Sequence, residues 1–270
     1  MNYWSQSTDN VYVAAHRGLS AKYPENTRLA FEKALACEGL DQIETDIRIT
    51  KDGELVIIHD ETVDRTSFAT GLVREKTYAE LLEIDFGEKF GPEFKGQKIM
   101  TFREFMEMVK PYETLTLDLE LKEYPVEGRD AMAYSVADRV IEMVEEYGFG
   151  DRIVLNTFNI QLCEYIRGKY GDKYRQHIYF PISYMGKLFT EDPMNYAYCC
   201  CMFRTYFSPF NISEKQDFDR VKSYGVDTWA GAGVKNEETL DMALGRGATL
   251  ITCNNCDDIL DLLRKKGKHQ

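Results

Sequence analysis

His16-Arg17-Gly18, Glu44-Thr45-Asp46 and His59-Asp60 stand at the ends of short apolar runs early in the chain. Two histidines, an arginine and paired carboxylates in that placement suit one kind of chemistry. They can hold a divalent metal against a phosphate and move protons around it. Farther on, Asp118, Glu120 and Lys122 alternate, so on a strand all three share one face. Glu44 and Asp46 are two apart and share a face for the same reason. Carboxylates with no thiolate nearby favour a hard cation, magnesium or calcium, over zinc. Buried together without a cation they would repel, and some would take up protons. Arg17 and Lys122 supply donors for phosphate oxygens. Histidine titrates near neutrality, so His16 and His59 can divide the work, one as base and one as acid.

Each of these readings has a plainer competitor. His16 and His59 could ligate a manganese or zinc ion beside the carboxylates. Glu44 and Asp46 could be solvated edge-strand charges, although Ile43, Ile47 and Ile49 around them argue against it. Lys122 could pair with Glu120 as structure alone. Asp118 suits metal contact or support of a ligand equally. His177 and His269 carry no surrounding motif and read as structural and tail residues, while Phe158, Tyr179, Phe180 and Trp229 read as barrel lining or substrate-pocket walls.

Such a constellation needs a scaffold that brings strand ends together. Apolar runs followed by helical patterns recur along the chain. Strands are expected at Val11 to Ala15, Gln42 to Thr50, Thr114 to Leu121, Ile153 to Asn156, Ile178 to Ile182, Phe203 to Phe207, Val226 to Ala230 and Ala248 to Thr252. Helices are expected at Glu25 to Cys37, Thr101 to Val109, Asp130 to Tyr147, Gln161 to Lys169, Glu214 to Ser223, Glu237 to Leu244 and Asp257 to Lys265, with a poorly defined one near Asp192 to Cys200. Eight alternating pairs predict a (β/α)8 TIM barrel occupying residues 1–270 as a single domain, with a doubly wound open sheet as the alternative. Active sites of such barrels lie at the C-terminal ends of the strands. That is where His16 and Arg17 fall.

Two stretches break the rhythm. Thr50-Lys51-Asp52-Gly53 is a turn signal, and Leu55 to His59 reads as a strand folded back on the second barrel strand. A turn centred on Asp52-Gly53 puts His59 opposite Asp46. Residues 61–100 are too long for a βα loop and carry Phe68, Tyr78, Phe86, Phe90 and Phe94, so a folded insertion capping the barrel is expected.

Composition narrows the partners. The net charge is −12, with 33 Lys and Arg against 45 Asp and Glu. An acidic surface repels nucleic acid and anionic lipid, so an anionic substrate must be held by a local cationic patch. No apolar run approaches the ~18 residues of a membrane span, and no stable membrane insertion is expected. Met1 to Asn10 is polar with isolated aromatics, so these residues are not expected to act as a signal peptide. Seven cysteines, three of them adjacent at Cys199 to Cys201, make a poor disulfide framework and suggest a reducing cytoplasm. Cys253-Asn254-Asn255-Cys256 is a single CxxC and reads as a strand-end coincidence rather than a zinc or redox motif.

Taken together, several short motifs resemble the glycerophosphodiester phosphodiesterases. These are Ala15-His16-Arg17-Gly18, Pro24-Glu25-Asn26-Thr27, Glu44-Thr45-Asp46, Thr50-Lys51-Asp52-Gly53, His59-Asp60, Arg65-Thr66, Asp85-Phe86-Gly87 and Glu120-Leu121-Lys122. Each alone is weak, while their order and spacing over about residues 11 to 122 are specific. The resemblance implies a barrel, one divalent metal and hydrolysis of a small glycerophosphodiester to glycerol 3-phosphate and an alcohol. Carried across by position, it implies Glu44, Asp46 and Glu120 as metal ligands, His16 and His59 as the acid/base pair, and Arg17 and Lys122 on the phosphate. Trp229 matches a tryptophan of the family's pocket. It also implies that the substrate's own glycerol hydroxyl attacks phosphorus, giving a cyclic phosphate that water opens. The second half departs from the family. Val154-Leu155-Asn156-Thr157-Phe158 stands where a serine pair is usual, Ala230-Gly231-Ala232 replaces Thr-Val-Asn, Thr252-Cys253 stands for Thr-Asp, and Asp118 replaces asparagine. These changes bear on the leaving alcohol. The rivals are a lysophospholipase D or cyclising phospholipase acting on a lipid, and a non-catalytic phosphodiester-binding module.

Overall fold

A computed structural model describes residues 4, 7–187, 189–204, 212–231 and 233–269. Among the described residues the apolar runs form nine strands: β1 (Tyr12–His16), β2 (Gln42–Ile49), β3 (Leu55–Ile57), β4 (Thr116–Leu121), β5 (Ile153–Asn156), β6 (Arg175–Phe180), β7 (Cys199–Met202), β8 (Asp227–Ala230) and β9 (Leu250–Cys253). All but β3 run parallel, and β1 pairs with both β2 and β9, so the sheet closes on itself. Eight parallel strands in a closed sheet form the (β/α)8 barrel, and the open-sheet alternative falls because no free edge is left.

The helices are α1 (Arg28–Leu35), α2 (Tyr78–Leu82), α3 (Phe102–Val109), α4 (Asp130–Glu146), α5 (Ile160–Tyr170), α6 (Lys215–Lys222), α7 (Glu237–Arg246) and α8 (Cys256–Lys265). Apart from α2, their apolar faces meet the outer wall of the barrel in one continuous cluster that includes Phe31, Phe105, Val140, Phe218 and Leu260. Each such side chain, fully buried, contributes roughly 1.5–3 kcal/mol. α1 starts three residues later than the pattern predicts. Asn26 takes a left-handed backbone (φ 57), and Thr27 then caps the helix by accepting from the Ala30 amide.

The region before β7 differs from expectation. A single 3-10 turn, Pro193–Asn195, stands in place of the helix expected near Asp192 to Cys200. The sixth barrel strand is Cys199–Met202, because these residues hold the register between His177–Phe180 and Asp227–Trp229. The aromatic run drew the expected strand late. It ends before Phe203, and residues 205–207 lie outside the described residues. β6 likewise begins at Arg175, which brings His177 into the barrel wall.

β3 folds back on β2 as the turn signal requires. Thr50 N donates to Glu54 O (2.9 Å) and Gly53 N to Thr50 O (3.1 Å), with Gly53 left-handed at φ 87. The loop therefore has three residues, and Ile47 faces Ile57. Ile58, not His59, lies opposite Asp46, donating its amide to the Asp46 carbonyl at 3.1 Å. His59 follows one residue beyond the ladder. Residues 61–100 then build a second apolar cluster with β3, comprising Val56, Ile58, Val63, Val73, Leu81, Phe86 and Ile99. α2 within it begins with a capping box between Thr77 and Glu80.

Candidate active site

The strand tips supply the chemistry. His16 ends β1, and Arg17 and Gly18 both turn left-handed, at φ 58 and 83. A Cβ on Gly18 would stand 2.6 Å from the Ala30 carbonyl carbon, so only glycine lets the chain turn under α1. The turn sends the Arg17 side chain back across the barrel mouth. Its Nε lies 3.1 Å from Asp46 Oδ2, and its Nη1 donates to Glu25 Oε1 at 3.0 Å.

Parallel register aligns Asp46 on β2 with Glu120 on β4, and Glu44 with Asp118. Oxygens of Glu44, Asp46 and Glu120 lie within 4.8 Å of one another, and all three residues are buried. Lys122, one step along the same face, donates to Glu120 Oε1 at 2.5 Å and lies 3.2 Å from Asp46 Oδ1. Burial would raise the Asp46 carboxyl, but the charges of Lys122 and Arg17 hold it well below the usual carboxylate range. Burial, then the neighbouring Asp46 charge, pushes Glu44 well up. Burial also raises Glu120, against the pull of Lys122. An all-oxygen acidic set whose members suppress one another's ionisation fits a divalent hard cation. Glu44, Asp46 and Glu120 could hold it.

Two histidines flank this cluster, each with its own partner. His16 shares a 2.6 Å hydrogen bond between Nδ1 and Asn254 Oδ1, and its Nε2 lies 3.8 Å from Glu44 Oε2. Burial and the Arg17 charge lower its pKa to about 3. His59 shares a 2.5 Å hydrogen bond between Nδ1 and Asp60 Oδ1, and burial lowers it too. Buried Arg48 donates from Nε to the His59 carbonyl (2.9 Å) and from Nη1 to the Lys122 carbonyl (3.1 Å). It thereby fixes both backbones.

These groups face a cavity of about 630 Å³ lined by His16, Arg17, Glu44, His59, Glu120 and Lys122, among others. The structure thus brings together seven of the eight residues singled out from sequence, with Asp46 just beneath the surface. Trp229 is the exception. It is fully buried, donates from Nε1 to Asp227 Oδ2 at 2.9 Å, and packs with Trp4, Tyr198 and, edge-on at 4.9 Å, with His177, so it touches a cavity-lining residue without lining the cavity itself. Its β8 position turns the ring inward, where a buried indole N–H must find an acceptor.

Other residues at or behind the cavity escaped the sequence reading. Asn254 sits in the segment read as a chance CxxC. Its signal lay only in the closure of β9 beside β1. His177, read as structural, lines the cavity and shares a 2.8 Å hydrogen bond with Asp118 Oδ2. Asp118 therefore supports His177 and lies outside the acidic triad. Phe158 and Tyr179, which the sequence offers as barrel lining or pocket wall, do line the cavity, and with Phe203, which it did not offer, they form one wall of near-parallel rings, with 3.6 Å between the Phe158 and Tyr179 centroids. The seven cysteines are all free thiols. Among the described residues no helix is long and apolar enough to cross a membrane.

Residues 16–253 match the model of the "Glycerophosphoryl diester phosphodiesterase family". A glycerophosphodiester phosphodiesterase of Caldanaerobacter subterraneus subsp. tengcongensis is 31% identical over 259 residues, 94% of this chain and 98% of that protein. Solved structures agree in fold. A putative glycerophosphoryl diester phosphodiesterase from Silicibacter pomeroyi superposes with a TM-score of 0.79 at 21% identity, covering 96% of this chain and 95% of its own. A phosphodiesterase of Oleispira antarctica, solved with the product sn-glycerol-3-phosphate, gives 0.77 at 22% identity, over 97% of this chain and all of that one.

Proposed function

The chain belongs to the glycerophosphoryl diester phosphodiesterase family, and from that premise we propose that it hydrolyses small glycerophosphodiesters to glycerol 3-phosphate and an alcohol. The observation that carries the reading is one cavity holding a buried acidic triad between two histidines with different partners. Glu44, Asp46 and Glu120 would hold one divalent ion, magnesium or calcium. When bound, it supplies positive charge for the phosphate oxygens as negative charge grows on them.

The chain's own groups do the rest. Arg17 and Lys122 orient the phosphate. A carboxylate behind an imidazole stabilises the imidazolium that forms when the ring accepts a proton. Asp60 gives His59 that support, so His59 takes the proton of the attacking glycerol hydroxyl. His16, held at Nδ1 by the neutral amide of Asn254, takes up a proton on Nε2 when the anionic phosphate arrives beside it and passes that proton to the departing alcohol. The O–P bond to the glycerol oxygen forms, the P–O bond to the alcohol breaks, and a cyclic phosphate results. Water then opens the ring with the two histidines exchanging roles. Holding the hydroxyl beside phosphorus makes the first step intramolecular, an advantage of up to ~7–11 kcal/mol.

The test is turnover of glycerophosphocholine and glycerophosphoethanolamine beside lysophosphatidylcholine, each with magnesium, calcium or a chelator. Metal-dependent release of glycerol 3-phosphate from the water-soluble diesters supports the reading. Turnover of the lipid alone would move the substrate to lysophospholipids, and no turnover with any metal would leave a binding module.

A further inference from the structure

The two halves of the site, the proton-transferring His59 and the phosphate clamp Arg17, are joined through a residue that touches neither. Arg65, from the insertion, donates from Nε to Asp60 Oδ2 at 2.7 Å and from Nη2 to Asp60 Oδ1 at 3.2 Å. Its Nη1 and Nη2 also donate to both oxygens of Glu25, at 2.7 and 2.8 Å. Each carboxylate also holds an active group, through an oxygen it shares with Arg65. Asp60 Oδ1 meets His59 Nδ1 at 2.5 Å, and Glu25 Oε1 accepts from Arg17 Nη1 at 3.0 Å. One planar guanidinium therefore spans two anions whose other partners are the base and the clamp. A rigid fork suits this bridge, since a point charge cannot meet four oxygens at hydrogen-bonding distance.

We propose that Arg65 is a positioning residue for the phosphodiesterase reaction, holding Asp60 against His59 and Glu25 against Arg17 so that base and clamp keep their mutual geometry. The proposal rests on the hydrolytic reading of the same site. Two consequences distinguish it from a surface ion pair. First, without Arg65 the carboxylates of Asp60 and Glu25 face each other with less cation between them, and Asp60 can rotate away from His59. Second, Glu25 is left with Arg17 as its remaining cation, which draws the guanidinium off the phosphate. Both the hydrogen bond at His59 and the turnover should therefore respond. The fold should respond little, because Arg65 is half-exposed and outside both apolar clusters. The insertion then does more than cover apolar surface, since it supplies the ion that aligns residues from the first and second barrel units.

Arg65→Met, Arg65→Lys and Asp60→Asn would be compared with the parent, loaded with magnesium or calcium, by three readouts. The expected result for Arg65→Met is a kcat ~10- to 100-fold lower, the range for losing a residue that supports a catalytic group, with the melting temperature little changed. Arg65→Lys should recover only part. Combined with Asp60→Asn, the Arg65→Met loss should fall well short of the product of the single losses. Proton NMR gives a readout independent of activity. The His59 Nδ1–H resonance, identified by its absence in His59→Gln, should lie far downfield in the parent and move upfield or vanish in Arg65→Met. An unmoved resonance, or a kcat within twofold of the parent, would overturn the proposal. If the parent cleaves no glycerophosphodiester, the activity reading fails while the resonance still decides the role of Arg65.

Discussion

His16 Nδ1 and Asn254 Oδ1 lie 2.6 Å apart, joining the last residue of β1 to the segment just beyond β9. A side-chain carbonyl can only accept, so the bond sets the proton on Nδ1 and turns Nε2 toward the cavity floor at Glu44. Replacing Asn254 by alanine frees the ring to rotate and to change tautomer. A kcat loss of ~10- to 100-fold is expected, with Asn254→Asp milder than Asn254→Ala. Steady-state kinetics check it, and unchanged kcat in Asn254→Ala would remove the residue from the mechanism.

The division of roles between the histidines predicts different responses to the leaving group. A p-nitrophenolate departs without a proton, whereas a choline alkoxide does not. His16→Ala should therefore keep much of its activity on a glycerophospho-p-nitrophenyl ester and lose ~10²–10⁴-fold on glycerophosphocholine. His59→Ala should lose both. The reverse pattern would exchange the two assignments.

Burial and the Asp46 charge raise the folded-state pKa of Glu44, which gives metal-free stability a definite pH slope. The folded chain holds a proton on Glu44 that the unfolded chain has released above its ordinary pKa of about 4.3. That contribution to stability is present below this value and is lost as pH rises through the folded pKa. Metal-free Glu44→Gln should therefore be more stable than the metal-free parent near pH 8, and the gap should shrink toward pH 5. A gap of ~2–4 °C, about 1 kcal/mol for a chain of this size, is the least expected. Magnesium or calcium should raise the parent's melting temperature more at pH 8 than at pH 5. A cation-induced shift that is flat with pH, or absent, would count against the acidic triad as the metal site.

Trp229 supplies the contrast. Its indole N–H meets Asp227, whose other oxygen accepts from Thr249 Oγ1. Trp229→Phe leaves one buried carboxylate oxygen unpartnered, which costs ~1–3 kcal/mol, and KM should stay within about twofold. Differential scanning calorimetry and steady-state kinetics separate the two effects. A large rise in KM at unchanged stability would return Trp229 to the substrate pocket.

Much of this was legible in the residue order because it depends on short-range periodicity. Two-residue spacing alone puts Glu44 with Asp46, and Glu120 with Lys122, on one face of a strand. The alternation of strand and helix patterns points to a closed barrel whose strand tips collect those faces. His16 and Arg17 follow from their place at the end of an apolar run. The hairpin was legible as a turn, but its register was not. One extra loop residue moved Ile58 into the place expected for His59, and loop length depends on the backbone conformation at Gly53. The start of β6 and the whole of β7 were misplaced for a related reason. Aromatic residues such as Phe203 have strong strand propensity, yet neighbouring strands decide which residues complete the ladder.

The residue order by itself determined the chemistry available: oxygen ligands for a hard cation, two imidazoles, and cationic donors for a phosphate. Those properties belong to side chains taken singly or to neighbours along one strand. Which groups stand behind them was decided only in three dimensions. Asn254 reaches His16 because β9 closes against β1, His177 meets Asp118 across the barrel wall, and Arg65 spans Glu25 and Asp60 from an insertion. The physical reason is range. Periodicity constrains residues a few positions apart, whereas the partner that fixes a tautomer or balances a buried charge is chosen by closure of the barrel, which joins His16 to a residue 238 positions away.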